Sequence, residues 1–430
     1  MKSNRQDVSL IIRAGLIITD PFSPVITDGA IAVLNDKIIE IGPGKEICNK
    51  YNPVRTLNRP DSLAMPGLIN MHTHCPMTLF RGLADDLPLK QWLEEYIFPA
   101  ESKLTPERIR LGTELACSEM IRCGTTSFVD MYLFEDQIAE VVDKVGMRVW
   151  IGEGIFDFPT PAFPSGQAAL EETDRLADKW ANHPRITVTV TPHTPYTCDK
   201  KLLIAASEYA QKNNLLLHIH VSETQWEVQE ITSKTGASPV EYLNTIGLLN
   251  DHTLAAHCVA LTPEDIEILA RNRVRVLHCP ESNLKLASGI APVPDMIKKE
   301  ILVSLGTDGA ASNNDLDMFG EMDFAAKIHK GVCQDPTVLP APQVLAMTTL
   351  NAARSLHRDD LGILKPDAQA DIICLDINKP HLIPMTNPIS HIVYSACKAD
   401  VQDVIVAGNI LMEDRQLTTV NEDALSTSLR

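Results

Sequence analysis

Between residues 63 and 361 the chain alternates short runs of Val, Ile and Leu with longer stretches that carry helix signals. A buried strand followed by a helix, repeated, builds a parallel sheet with helices on its outer face. Eight such runs can be read, at 67–74, 125–130, 148–154, 186–193, 215–221, 253–258, 273–279 and 301–308. They predict an α/β fold, a (β/α)8 barrel of TIM type. Nearly every run ends in a polar or ionisable residue. Barrels of this kind build their chemistry at the C-terminal ends of the strands, so one ring of functional side chains is expected at one mouth.

The flanks have a different texture. Residues 8–41 read as short β-runs with a turn at Asn35-Asp36, and the same pattern returns at 370–377 and 401–417, with a turn at Ala407-Gly408-Asn409. The two ends are expected to fold together as a small β-sandwich domain, 1–62 plus 362–430, beside a barrel at 63–361. At 430 residues the chain is roughly three times the ~150-residue prior for one domain. Its 44% hydrophobic and 22% charged residues suit a sizeable core. The Pro-rich stretch 156–166 reads as a long loop after the third strand.

Several classes of function are disfavoured. A net charge of −18 repels polyanions, which argues against nucleic acid or anionic membranes as partners and leaves a small ligand in its own pocket. The ten cysteines are scattered singly with no C-x-x-C pair, which excludes zinc ribbons and the cytidine-deaminase type of zinc site. The opening MKSNRQDVSL lacks the apolar core of a secretory signal, and no apolar run approaches 18 residues. A cytoplasmic location is expected.

His72 and His74 flank Thr73 at the end of the first strand, where residues i and i+2 point to the same side. Alone, this is as readily a pair of ordinary surface or core histidines. Their company changes the reading: His220 ends strand five, His257 strand six and Asp308 strand eight. Three imidazole nitrogens and one carboxylate oxygen make a suitable ligand set for Zn²⁺ or another borderline divalent ion, with a position left for water. His218 shares a face with His220, and position alone separates the two poorly; His220 is preferred because it lies nearer the mouth. By pattern alone Glu223 reads as a helix N-terminal glutamate, with Ser222 or Thr224 as cap. Glu101 reads as a solvated helix residue, Trp92 as a core or lid residue, and His193 and His257 as core histidines.

Taken together, PGLINMHTH, FPAE, TPHTPYTC, HIHVSET, AAHC, ESNLKLASGIAPV and LGTDGAASNND resemble the amidohydrolase superfamily, and within it the methylthioadenosine/S-adenosylhomocysteine deaminase group of the deaminase and chlorohydrolase branch. The pieces run in family order over essentially the whole chain. The resemblance implies that His72, His74, His220 and Asp308 hold one divalent metal ion per subunit, Zn²⁺ first, with Fe²⁺ or Mn²⁺ as alternatives. Glu223 and His257, with Asp308, would handle protons. Glu101, on the ribose hydroxyls, and His193 would contact substrate, and Trp92 would cover the purine or the 5′ group.

The implied activity is hydrolysis of the 6-amino group of a 5′-modified adenosine to the 6-oxo form with release of ammonia. The implied assembly is a homodimer or homotetramer. Triazine chlorohydrolysis or aminohydrolysis, and guanine or cytosine deamination, are the alternatives within the branch. A non-catalytic binding barrel is the alternative outside it. Strand four ends in Thr191-Pro192-His193, without the lysine that bridges two metals in dinuclear relatives, which implies a single-metal centre. Some members carry an arginine on strand three, where this chain reads Ile151-Gly152-Glu153-Gly154, so the holding of the 5′ tail is left open. Arg81 and Lys285 are the cations considered for a tail carboxylate.

Overall fold

The computed structural model describes residues 5–430. Residues 1–4, the start of the expected terminal β-piece and of the stretch read as signal-free, lie outside the described residues. All eight expected barrel strands are present, at Leu68–Thr73, Thr125–Asp130, Arg148–Ile151, Ile186–Val188, Leu217–Val221, Thr253–His257, Arg275–His278 and Val303–Leu305. They pair in parallel as two arcs of four in chain order. A parallel bridge between Val190 and Leu217 joins the arcs on one side. On the other, the Asp308 amide donates to the His72 carbonyl at 2.9 Å, and the Thr307 amide to Asn70 Oδ1 at 3.0 Å.

The strands are shorter than their apolar runs because their ends leave the ladder to aim side chains into the mouth. The fourth is the clearest case. It stops at Val188, and Thr191–Pro192 pairs instead with Gly154–Ile155. Pro192 has no N–H to give a neighbour. The Thr189 and Thr191 hydroxyls donate to the carbonyls of Ile151 and Glu153, at 3.1 and 2.6 Å.

Period-two geometry sorts the strand side chains. His218 and His220 pair with Leu254 and Ala256 on the inner face, while Ile219 and Val221 join the large core beneath the helices. The outer helices are amphipathic in the matching way: Glu135–Val145 buries Ile138, Ala139, Val142 and Val145. Where the last strand meets the first, Gly306 is required, because a Cβ there would sit 2.6 Å from the His72 amide nitrogen.

The small domain expected from both termini is one continuous mixed sheet of eight strands. Its order is Gln416–Leu417, Asn409–Glu413, Val401–Val406, Ile372–Asp376, Tyr51–Pro66, Gln6–Ile17, Ile26–Leu34, Lys37–Pro43. Both halves of the sheet face one apolar core, with Ile12, Val33 and Ile38 from one and Ile372, Cys374 and Ile405 from the other. The alternate residues Ile373, Leu375, Val404 and Val406 pack into the barrel core. A buried ion pair fastens the two bodies: Arg148, on the third barrel strand, donates to both oxygens of Asp371 at 3.0 and 3.2 Å.

No helix among the described residues is long and apolar enough to cross a membrane.

Candidate active site

Asp308 ends the last strand in a left-handed conformation, φ +64°, which few non-glycine residues adopt. Its Oδ2 accepts hydrogen bonds from Ser282 and Ser312, at 2.6 and 2.7 Å. The carboxylate is thereby fixed with Oδ1 turned to the histidines, 3.3 Å from His72 Nε2 and 3.0 Å from His74 Nε2. His257 (φ +69°) and Ser222 (φ +50°) show the same strained backbone at the ends of their strands. At these strand ends side-chain direction outweighs backbone comfort.

The imidazoles have their Nδ1 atoms engaged elsewhere. His74 Nδ1 donates to the Met131 carbonyl at 2.5 Å, His220 Nδ1 to the His193 carbonyl at 2.8 Å, and His257 Nδ1 to Asn283 Oδ1 at 2.8 Å. These oxygens can only accept, so the ring proton is held on Nδ1 and the Nε2 lone pair is directed into the mouth. His72 Nδ1 meets His218 Nε2 at 2.9 Å. His72 Nε2 is buried with no hydrogen-bond partner.

Ligand atoms of His72, His74 and His220 lie within 4.8 Å of one another, as do those of His72, His257 and Asp308. An orphaned buried nitrogen amid imidazole and carboxylate donors fits a divalent cation. His218 stands behind His72 and outside both groups.

The electrostatics agree with this donor set. Burial pulls His72 down to about 4 and His220 well below its usual value, so both rings are neutral. Burial would raise the Asp308 carboxyl, but His72 and His74 hold it well below the carboxylate range. Burial opposes a charge on His74 too, yet the Asp308 contact wins and pushes it up to about 9. The carboxylate thus favours a positive charge at this point.

Glu223 lies two residues past the end of strand five. The amides of Ser222 and Glu223 donate to the two oxygens of Glu227, both at 2.8 Å. Thr224, of the two caps considered, is the one that caps the following helix, Gln225–Thr235. So fixed, Glu223 is buried and its Oε2 lies 3.9 Å from His257 Nε2. Burial raises its carboxyl, as suits a group that must hold a proton.

The mouth opens into a pocket that Trp92, Glu101, His193 and Glu223 help to line. His193 donates to or accepts from Thr197 Oγ1 at 2.9 Å and packs on Phe156, ring centroids 4.5 Å apart. Glu101 ends a one-turn helix, Phe98–Glu101. Burial pushes its carboxyl up to about 7, against the pull of the Tyr132 hydroxyl and His74. The nine residues to which the resemblance gives a metal, proton or substrate role therefore meet at one mouth, and His218 stands behind it.

Sequence reasoning gave no role to the residues that hold them. Ser282, Asn283 and Ser312 lie inside quoted motifs but carry no metal-ligand or proton-carrier signature of their own. Asp130, by sequence the end of the second strand, is another. Its Oδ1 accepts from Thr73 Oγ1 at 2.5 Å and the Cys75 amide at 2.7 Å, clamping the residues on either side of His74.

A barrel with histidines from strands one, five and six and an aspartate from strand eight defines a metal-dependent hydrolase scaffold. The chain belongs to the amidohydrolase family, whose model matches residues 63–411. A relative from Syntrophobacter fumaroxidans, a 5-methylthioadenosine/S-adenosylhomocysteine deaminase, is 47% identical over 100% of this chain and 98% of its own. The crystal structure of an adenosine deaminase from Xanthomonas campestris with bound zinc superposes with a TM-score of 0.97 at 38% identity, covering 99% of this chain and 98% of that one. A zinc complex of an atrazine chlorohydrolase from Arthrobacter aurescens shares the fold, with a TM-score of 0.89 at 22% identity, covering 98% and 99%.

Proposed function

We propose that this protein is a hydrolytic deaminase of 5′-modified adenosines, with 5′-methylthioadenosine and S-adenosylhomocysteine as the substrate class. Water adds at C6 of the purine, the 6-amino group leaves as ammonia, and the product is the 6-oxo nucleoside. The carrying observation is the Glu223–His257 pair, buried beside the Asp308 cluster at the closed end of a pocket that also holds Glu101. Full-length similarity to deaminases of these nucleosides supports the substrate class.

In this reading His72, His74, His220 and Asp308 hold one divalent ion per subunit, and zinc is the ion that three imidazoles and one carboxylate suit. The zinc carried by the Xanthomonas campestris relative supports that choice. When bound, such an ion supplies Lewis acidity that makes water a nucleophile near neutral pH. His257, whose Nδ1–H donates to Asn283 Oδ1, offers Nε2 to take a proton from the attacking water. Asp308 Oδ1 is the second acceptor. Glu223, whose carboxyl burial raises, donates its proton to ring N1, takes up the proton of the added hydroxyl and passes that one to the departing amine, and the water proton held by His257 restores it. Glu101 accepts from the two ribose hydroxyls, as a carboxylate can. His193 and Trp92 contact the nucleoside.

We assign the catalysis to residues 63–361 and a bracing role to the pieces 1–62 and 362–430. The ten unpaired cysteines support a cytoplasmic setting. Exposed Phe324 and Val332, on the helix Met318–Cys333, support a homo-oligomer.

The test is an ultraviolet scan of zinc-loaded protein with methylthioadenosine. An adenine-to-hypoxanthine shift is expected. An unchanged spectrum with every adenosine nucleoside, alongside turnover of a chlorotriazine or of guanine, would overturn the reading.

A further inference from the structure

Beside the histidine cluster the pocket has an extended apolar wall, built by Leu89, Trp92, Leu93, Ile97, Phe98 and Phe156, with the uncharged Thr194 and Tyr196 as its polar neighbours. Phe156, Phe158 and Phe98 continue as a packed aromatic row, with centroids 5.1 and 5.9 Å apart. Among the described residues the lining carries Glu101, Glu223 and Asp308 as ionisable side chains besides histidine, and neither lysine nor arginine.

The nearby cations are already committed. Arg81 donates to both oxygens of Glu119 and to the Asn314 carbonyl. Lys285 donates to Asp85 at 2.7 Å and to the Ala311 carbonyl at 3.2 Å. Lys90 borders an adjoining cleft, 5.0 Å over the Trp226 ring and 3.9 Å from Glu94, with Glu230 as a further carboxylate there.

Resting on the deaminase reading above, we infer that the 5′ subsite selects an uncharged, apolar tail, so that methylthioadenosine is the preferred substrate and S-adenosylhomocysteine a poor one. A thioether methyl group gains from burial against leucine, isoleucine and aromatic rings. The homocysteine tail brings a carboxylate to a wall that offers it no lysine or arginine, and an unpaired charge removed from water is strongly disfavoured.

The experiment compares kcat/KM for methylthioadenosine, 5′-deoxyadenosine, adenosine and S-adenosylhomocysteine with the zinc-loaded protein. Methylthioadenosine is expected to exceed S-adenosylhomocysteine by tenfold or more, with the difference mainly in KM. A ratio below tenfold overturns the inference and leaves the deaminase reading intact. No turnover of any of the four overturns the deaminase reading itself. Leu93→Arg, which adds a cation to the wall, is expected to shift the ratio at least tenfold toward S-adenosylhomocysteine; an unshifted ratio in a variant that keeps methylthioadenosine turnover counts against the inference.

Discussion

Asn283 Oδ1 accepts a hydrogen bond from His257 Nδ1 at 2.8 Å, and this single contact keeps the ring proton on Nδ1 and the Nε2 lone pair turned to Glu223. A ring free to carry its proton on Nε2 could not accept one from water. Asn283→Ala is therefore expected to lower kcat by about 10² while leaving KM within a few-fold, in the range seen for misplaced general bases. Steady-state kinetics with a circular dichroism control checks this; a variant with unchanged kcat would remove His257 from the proton path.

Ser282 and Ser312 bind the same oxygen of Asp308. Partners of this kind typically contribute about 10- to 100-fold to metal affinity. Each serine-to-alanine variant should lose zinc to a chelator at correspondingly lower concentration, and the double variant should lose more. Retention equal to wild type would show that Asp308 needs no orientation.

In the proposed reading Glu101 accepts both ribose hydroxyls as a carboxylate, and its carboxyl is pushed up to about 7 by burial. Protonation leaves a weaker acceptor with one oxygen turned donor, so kcat/KM for nucleosides should fall as pH drops below about 7. Glu101→Gln should lose this acidic limb and about 10- to 100-fold of kcat/KM, the worth of hydrogen bonds to a charged group. An acidic limb that persists unchanged in the variant would assign it to another residue.

Arg148 and Asp371 are both buried and join the barrel to the terminal sheet. Asp371 also accepts the Ala407 amide at 2.7 Å. Asp371→Ala strands the guanidinium and should destabilise the protein by about 3–5 kcal/mol, read from urea unfolding. A loss under about 1 kcal/mol would mean that the two bodies are held by their apolar contacts alone.

Much of this was legible in the sequence because it rests on local signals. Eight apolar runs ending in polar residues gave the barrel, and the H-x-H at His72 and His74 fell on one strand face, as period two requires. His218 and His220 satisfied the same rule equally, and only the fold separates them: one meets the back of His72, the other faces the mouth. The orienting contacts were not legible because they span long separations, Asn70 to Thr307 or His257 to Asn283, and serine or asparagine carries no pattern of its own. The broken fourth strand was missed for a related reason, since its threonine hydroxyls replace ladder bonds that the apolar run seemed to promise.

The most direct test of the central claim is mass spectrometry of the product formed from methylthioadenosine by zinc-loaded protein in H₂¹⁸O. The account predicts a 6-oxo nucleoside carrying one ¹⁸O, one ammonia per turnover, and loss of both in Glu223→Gln. Release of free adenine, or ammonia production unaffected by Glu223→Gln, would contradict it.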